Sequence, residues 1–163
     1  GFYLLVLFSP DKPLGRAWLS ITGDTLAFTF SGLVLASCLY SLPFVVQPLR
    51  LSFTATGRRQ LEAAWTLGAP PLRAFFSVAL PQAGRGYLTA AVMGFAHTLG
   101  EFGVVLMVGG NIPGTTRVIS IAIYDEVESL NYAAAHRLAA LLLAFAFAAL
   151  LTLYWMNRRW RPA

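Results

Sequence analysis

Long apolar runs separated by short polar stretches make up most of this chain. Residues 26–49, 86–108 and 130–157 each reach the length of about 20 residues that an α-helix needs to cross a bilayer. Pro43 lies inside the first of these runs and is expected to kink that helix or to end it early. A shorter run, residues 1–8, extends only about 12 Å as a helix, so we expect it to be part of a span. The pattern predicts an all-α, polytopic membrane protein.

The polar stretches predict the segments outside the bilayer. Residues 9–25 contain Pro, Gly and charged side chains, which is typical of a loop with a short interfacial helix. Residues 50–85 form a long charged loop, and residues 109–129 predict a turn followed by a re-entrant or surface helix. Residues 158–163 are expected to form a short polar tail.

The composition excludes an ordinary soluble domain. Of the 163 residues, 57% are hydrophobic and 12% are charged, and the mean hydropathy is +0.64. The net charge is +5, but the arginines lie at the ends of apolar runs, so we expect no nucleic-acid partner. Cys38 is the only cysteine, which leaves no internal disulfide and no multi-cysteine metal site.

The basic residues predict the orientation in the membrane. Eight of them lie on the side of loop 50–85, against three or four on the other side. Cytoplasmic loops carry the excess of Lys and Arg, so loop 50–85 and tail 158–163 are predicted to be cytoplasmic, and loop 9–25 periplasmic. The eight are Arg50, Arg58, Arg59, Arg73, Arg85, Arg158, Arg159 and Arg161, and the others are Lys12, Arg16, Arg117 and Arg137. Tyr154, Trp155 and Trp160 are expected to form an aromatic anchor on the cytoplasmic side.

Loop 50–85 contains small and helix-breaking residues at regular places. Gly68 suits the left-handed position that closes a helix, and Pro70 or Pro71 suits the first turn of the next helix. We therefore expect two short helices at an angle. A charged loop of this kind, held between two spans, suits a docking surface for a partner in the aqueous phase.

The spacing within the loop resembles the EAA signature of ABC importer permeases. A Glu-Ala-Ala triplet alone is common in helices by chance, but the full spacing extends over residues 62–81 and is much more specific. The alternative is a solvated amphipathic hairpin that only connects two spans. The matching residues are Glu62, Ala63, Ala64, Gly68, Val78, Leu80 and Pro81.

Further stretches narrow the resemblance. Residues 99–103 (Leu-Gly-Glu-Phe-Gly), residues 110–116 (Gly-Asn-Ile-Pro-Gly-Thr-Thr) and residues 122–124 (Ala-Ile-Tyr) resemble the membrane subunits of molybdate importers, with sulfate permeases next nearest. The resemblance covers the chain from Gly1 to Arg159. It implies a type I-like permease that imports molybdate by alternating access, with sulfate, thiosulfate or tungstate as alternative cargo.

The resemblance also implies the partners. The coupling helices of loop 62–81 would insert into a cytoplasmic ATPase dimer, with Gly68 at the corner. Two copies of this chain would form a multi-pass homodimer in the bacterial inner membrane and receive cargo from an extracytoplasmic molybdate-binding protein. The chain carries no phosphate-cradling motif and no catalytic constellation, so we expect a transport subunit without a cofactor that is not an enzyme, and ATP hydrolysis by the partner.

A polar stripe within the predicted span 86–108 is the candidate for the translocation path. His97 and Glu101 are four residues apart, so on an unbroken helix they share one face, together with Gly94. An ionisable group at this depth usually faces a water-filled path or a partner. A purely structural role in helix packing remains open for these residues. Because a carboxylate repels a dianion, Glu101 suits gating or structure better than cargo binding.

Asn111, Thr115 and Thr116 lie in the predicted extracytoplasmic turn, where they are candidates for the entrance to the path. Ordinary turn chemistry is the alternative explanation for these residues. Two other classes of protein also remain open. A secondary transporter or channel would use His97 and Glu101 but not the spaced loop, and a passive membrane anchor would use neither.

Overall fold

The computed structural model describes residues 1–55 and 58–159, and regular structure in these two ranges is helical. This confirms the predicted all-α fold. A π-helical turn, Phe75–Ala79, lies between α5 and α6. The helices are α1 (Phe2–Phe8), α2 (Pro13–Thr22), α3 (Phe30–Ala55), α4 (Arg58–Thr66), α5 (Pro71–Ala74), α6 (Leu80–Gln82), α7 (Gly84–Gly100), α8 (Gly103–Gly109), α9 (Ile119–Glu128) and α10 (Tyr132–Arg159).

Among the described residues, two helices are long and apolar enough to cross a membrane, α3 and the Tyr132–Trp155 part of α10. Pro43 and Pro48 both lie inside α3, so the helix does not end at Pro43. A third span requires α7 and α8 together, and these two helices are bent by 64° at a break. Glu101 and Phe102 lie at this break, so the predicted span 86–108 is not one unbroken helix.

The chain divides into two compact units, and the first comprises Gly1–Ser41 and His97–Ala148. One core cluster in this unit is built by α1, α3 and α8, and α1 also contacts α2. A second cluster joins α3, α8 and α9 through Leu33, Val105 and Ile121. The buried residues of the first cluster are Phe8, Leu26, Ala36, Val104 and Val108.

The second unit comprises Leu42–Ala96 and the described residues from Ala149 onward. It holds the described residues of loop 50–85, between the end of α3 and the start of α7. At the base of this loop, the Ser52 hydroxyl donates a hydrogen bond to the Ala83 carbonyl at 3.3 Å. A Cβ atom on Gly86 would lie 2.2 Å from the Ser52 Cβ, so only glycine permits this approach of α7 to α3. Of the predicted cytoplasmic segments, residues 56–57 and 160–163, including the anchor residue Trp160, lie outside the described residues.

Candidate functional site

Helix α4 carries the triplet Glu62, Ala63 and Ala64 and ends at Thr66. Two backbone hydrogen bonds close it: the Gly68 N–H donates to the Trp65 carbonyl at 2.9 Å, and the Ala69 N–H donates to the Ala64 carbonyl at 3.0 Å. These bonds form a Schellman motif, which satisfies carbonyls that the helix leaves without a partner. The second alanine of the triplet therefore takes part in the corner through its backbone.

Gly68 adopts φ +81°, the left-handed conformation that L side chains rarely adopt. The predicted helix-closing position is thus confirmed. Pro70 then occupies the N-cap of α5, and Pro71 begins this helix, where its missing N–H is not needed. Helix α4 contacts α5 and the π-helical turn, so the chain doubles back on itself at Gly68.

The π-helical turn was not predicted from the sequence. In this turn the Leu80 N–H donates to the Phe75 carbonyl, five residues earlier. Pro81 comes directly after Leu80. In a regular α-helix the Pro81 ring would clash with the carbonyl of Ser77. The wider turn accommodates this ring, and the Ser77 hydroxyl donates to the Arg73 carbonyl at 2.6 Å. A proline inside a helical pattern was the only signal for this irregularity.

The π-helical turn also sets which residues face inward. Ala74, Ala79 and Ala83 are all buried, at intervals of five and four residues. Five residues in an α-helix rotate the chain by about 140°, whereas the wider turn brings Ala79 back toward the side of Ala74. Val78 and Leu80 flank this buried line and are half-buried.

An aromatic cluster connects the loop to its flanking helices. The Phe75 ring stacks on Phe53 of α3, with ring centroids 5.9 Å apart. Tyr87 of α7 meets the same Phe53 ring edge-on at 6.0 Å. A displacement of the π-helical turn therefore acts directly on side chains of both α3 and α7.

Several large apolar side chains of the loop are exposed. They are Trp65, Leu67, Leu72 and Phe76, which we call the coupling-loop surface. Leu67 is 88% exposed and Leu72 74% exposed. Glu62 and Ala63 are exposed as well. Exposed apolar groups combined with a rigid corner are suited to burial against a partner protein.

His97 of α7 lies beside α3 in the first unit. Its Nδ1 atom is 3.1 Å from the hydroxyl of Ser41, which in turn is 3.1 Å from the hydroxyl of Thr98. The ring of Tyr40 tilts against the imidazole at 5.1 Å. Ser41 is buried, and His97 is half-buried. Sequence reasoning missed Ser41, although a serine within an apolar helix was the available signal.

Gly94 and Glu101 have packing and capping roles in this structure. A Cβ atom on Gly94 would lie 2.7 Å from Val45 Cγ2, so Gly94 allows α7 to approach α3 closely. Glu101 lies beyond the end of α7, and its carboxylate accepts a hydrogen bond from the Val104 N–H at 2.9 Å. The face that was predicted to join His97 to Glu101 therefore ends at Gly100, because Glu101 caps α8 instead of extending α7.

The second unit also contains an open, mostly apolar groove of about 830 Å³. The polar side chains in its lining are Gln47, Ser52 and Thr89, and Met93 and Pro43 are among the apolar ones. No charged side chain lines it in the part of the chain that the structure describes. Nor do the described residues contain a group of three His, Cys, Asp or Glu side chains that could hold a metal ion.

The turn after α8 is held partly by side chains that were predicted to line the extracytoplasmic entrance to the translocation path. Asn111, at φ +54°, donates from Nδ2 to both carboxylate oxygens of Asp125, at 3.0 and 3.2 Å. Arg117 donates from Nε to Asn111 Oδ1 at 2.9 Å and forms an ion pair with Asp125 at 3.5 Å. Asn111 is thus engaged within the turn, and Thr115 is exposed.

The end of α9 carries a titratable pair. The Tyr124 hydroxyl donates to Glu128 Oε1 at 2.8 Å, and this hydrogen bond together with the Glu128 charge raises the pKa of Tyr124 above its ordinary value of 10.0. The physical cause is that ionisation would break the bond and place two negative charges together.

Comparison with known proteins decides the family. Residues 1–162 match the family described as binding-protein-dependent transport system inner membrane component. The chain belongs to this family. The predicted resemblance to ABC importer permeases is confirmed, and the chain is a multi-pass membrane subunit and not itself an enzyme. Membership implies an ATPase partner and a periplasmic binding protein.

Individual relatives are similar over nearly the whole chain. The molybdenum transport system permease protein ModB of Azotobacter vinelandii is 54% identical over 158 residues, 97% of this chain and 70% of that protein. ModB of Escherichia coli K12 is 35% identical over 97% of this chain and 69% of that protein. The sulfate transport system permease protein CysT of E. coli K12 is 34% identical over 96% of this chain and 55% of that protein.

Proposed function

We propose that this chain is the membrane subunit of an ATP-driven molybdate importer in the bacterial inner membrane. The identity of 54% with a molybdenum permease protein carries the choice of cargo. Sulfate, thiosulfate and tungstate are the alternative cargoes, because CysT of E. coli is also 34% identical to this chain. All four are oxyanions, so the same general chemistry applies to each.

The coupling-loop surface is the proposed contact with the ATPase dimer in the cytoplasm. The Schellman corner at Gly68 fixes the angle between α4 and α5, and the exposed side chains on both sides of it are available for burial. A movement of the ATPase would displace the π-helical turn and, through Phe75 and Phe53, helix α3. Two copies of this chain would rock between inward-open and outward-open states in this way.

The path for the oxyanion is proposed to pass His97, with Gly94 permitting close helix packing and Glu101 holding the α7–α8 break as a gate element. At the extracytoplasmic end, Thr115 is exposed and available to a molybdate-binding protein. Asn111 and Thr116 support this entrance by holding the turn, since their side chains bond to Asp125 and to Gly109.

The test is uptake by the intact complex in vesicles, with molybdate and sulfate compared and with Gly68→Pro as the decisive variant. Proline fixes φ near −65° and removes the N–H, whereas Gly68 has φ +81° and donates to the Trp65 carbonyl. We expect Gly68→Pro to abolish ATP-dependent uptake of molybdate and to weaken copurification of the ATPase.

Gly23→Pro is the matched control. Gly23 closes α2 with φ +74°, donates its N–H to the Leu19 carbonyl at 2.9 Å and has the same open surroundings as Gly68. The backbone violation is therefore equal, and we expect coupled uptake to survive. An equal loss in both variants would contradict the coupling role of Gly68. Uptake that proceeds without ATP would instead favour a secondary transporter or channel.

A further inference from the structure

The backbone between α5 and α7 is irregular at two places. Phe75–Ala79 forms the π-helical turn, and α6 ends at Ala83, where ψ is 2°. Residues inside an α-helix have ψ of about −42°, so the regular helix is interrupted at Ala83. Helices bend at π-helical turns, and residues at helix ends absorb backbone rotations when segments move. A push on α5 is therefore expected to reach α7 only in part along the backbone.

The aromatic cluster crosses both irregular places. The Phe75 ring stacks on Phe53 of α3, with centroids 5.9 Å apart and 21° between the ring planes. Tyr87, which follows Ala83 by four residues, meets Phe53 edge-on at 6.0 Å and 82°. Stacked and edge-on arrangements are the ones that aromatic pairs prefer. Phe53 thus contacts one ring at the start of the π-helical turn and another ring beyond the end of α6.

The helices α3 and α7 approach each other closely beside these rings. The Ser52 hydroxyl donates to the Ala83 carbonyl at 3.3 Å, and a Cβ atom on Gly86 would overlap the Ser52 Cβ. Ser52 and Gly86 are the chain neighbours of Phe53 and Tyr87. Closely packed atoms transmit a displacement instead of absorbing it. A force on the Phe53 ring therefore acts on the junction of both helices.

The other end of the cluster is joined to the coupling-loop surface. Leu72 of α5 belongs to this surface and is 74% exposed. Phe75 follows it by three residues and continues the same helical turn, because the Phe75 N–H donates to the Pro71 carbonyl. A partner that buries Leu72 would thus push on a rigid helical turn that carries the Phe75 ring.

We propose that the aromatic cluster carries the movement of loop 50–85 past the π-helical turn into α3 and α7, with Phe53 as the residue on which both ring contacts meet. This inference rests on the proposed import function. Phe53 is a positioning residue, since its ring acts through Phe75 and Tyr87 and not on ATP or on the cargo. Its loss leaves the ATPase bound and active but reduces the cargo moved for each ATP hydrolysed.

The experiment measures molybdate uptake and ATP hydrolysis together in vesicles that hold the complete complex, with saturating binding protein. Phe53→Leu keeps an apolar side chain but removes the ring. We expect uptake per ATP hydrolysed to fall about fivefold or more, the lower end of typical coupling between distant sites. The ATPase is expected to copurify as with the wild type and to retain its basal rate of hydrolysis.

Variants of Tyr87 test whether the rings act in series. Tyr87→Phe keeps the ring and is expected to match the wild type, whereas Tyr87→Leu is expected to lose uptake per ATP as Phe53→Leu does. The double variant Phe53→Leu with Tyr87→Leu is expected to be no worse than the poorer single variant, because residues in one contact series are not additive. A loss equal to the product of the two single losses would contradict transmission through Phe53.

Phe2→Leu is the matched control for removal of a ring. Phe2 of α1 also forms an edge-on ring pair, with Tyr3 at 5.8 Å, and it lies outside loop 50–85 and its flanking helices. We expect this variant to keep the wild-type uptake per ATP. An equal loss in Phe2→Leu and Phe53→Leu would overturn the proposal, because loss of any ring contact would then have the same effect.

The outcomes separate this inference from the import function. Wild-type uptake per ATP in Phe53→Leu would overturn the role of the cluster while leaving import intact. Absence of ATP-dependent uptake by the wild type would contradict the import function itself, and this inference with it. If Phe53→Leu does not assemble with the ATPase, the comparison of Tyr87→Phe with Tyr87→Leu decides. Equal uptake per ATP in those two variants would overturn the proposal.

Discussion

Thr116 shows how a single buried hydroxyl holds a turn together. Its side chain is 1% exposed, donates to the Gly109 carbonyl at 2.5 Å and accepts from the Ile112 N–H at 3.0 Å. The Ile112 carbonyl in turn accepts the backbone N–H groups of Thr115, Thr116 and Arg117. The Thr116 side chain therefore helps to hold the path from α8 to α9 from within.

Thr116→Val keeps the shape of the side chain but removes both hydrogen bonds. Because it leaves a buried carbonyl and a backbone N–H without their partner, we expect it to lower the free energy of unfolding by about 2 kcal/mol or more. Thr115→Val changes the neighbouring exposed residue in the same way and is expected to stay within about 0.5 kcal/mol. Thermal unfolding of the two purified variants in detergent measures the difference. Equal midpoints would contradict the structural role of Thr116.

Tyr124 makes a pH-dependent contribution to the stability of the folded protein. Its pKa is raised in the folded protein, chiefly by the hydrogen bond to Glu128. The stabilisation from this bond is therefore fully present below the unfolded pKa of about 10 and is lost as the pH rises through the higher folded value.

Phenolate absorbance checks this effect on Tyr124. The difference between the titration of the wild type and that of Tyr124→Phe isolates one of the six tyrosines. We expect this difference to titrate above pH 10, and in a Glu128→Gln background to titrate at lower pH, because the charge of Glu128 is gone. If Tyr124 titrates at the same pH in the Glu128→Gln background, Glu128 does not cause the shift.

At the scale of elements, the approach of α7 to α3 depends on the small side chain of Gly86. A Cβ atom there would lie 2.2 Å from Ser52 Cβ, 2.6 Å from Ser52 Oγ and 3.4 Å from the Pro48 carbonyl oxygen. Near Gly84, in contrast, a Cβ atom would meet nothing within 4 Å among the described residues. The two glycines, two positions apart at the start of α7, thus differ in what they contact.

This contrast predicts opposite results for the same substitution. Gly86→Ala is expected to lower the free energy of unfolding by about 1 to 3 kcal/mol, because α3 and α7 must separate to admit the methyl group. Gly84→Ala is expected to be neutral or slightly stabilising, since alanine loses less conformational entropy in a helix. Denaturant or thermal unfolding of both variants gives the comparison, and a stable Gly86→Ala protein would mean that the two helices are not held at this distance.

Helix breaks and irregular turns were the elements that sequence reasoning placed least well. The apolar run 86–108 contains no proline. It has glycines beside the break, at Gly100 and Gly103, but glycine also occurs within unbroken helices. A contact from elsewhere accompanies the break: the Ser120 hydroxyl of α9 donates to the Glu101 carbonyl at 2.9 Å. The corner at Gly68 was predictable because a left-handed glycine followed by two prolines is a local signal.

For the whole molecule, the exposed coupling-loop surface predicts how the transporter assembles. Leu67 is 88% exposed and lies directly before the corner, so a partner would bury it in the complete complex. Burial of a leucine side chain contributes about 1.5 to 3 kcal/mol. A carboxylate at this position would have to be desolvated instead.

Leu67→Glu is therefore expected to weaken the affinity for the ATPase by at least about tenfold, measured by copurification at graded ATPase concentrations. Ile21→Glu is the matched control, because Ile21 is 81% exposed on α2 and lies outside loop 50–85. We expect it to copurify with the ATPase as the wild type does. Retention of full affinity by Leu67→Glu would place the ATPase contact elsewhere.

The sequence by itself determined the helical class, the apolar spans and the corner at Gly68. These features follow from local causes: an apolar run in a bilayer must satisfy its backbone hydrogen bonds internally, and a glycine before prolines ends one helix and begins another. Only the tertiary structure decided which side chains meet. Ser41 and His97 are 56 positions apart, and Asn111 and Asp125 are 14 apart. Contacts between distant segments depend on how the helices pack, and no local pattern in the sequence encodes that packing.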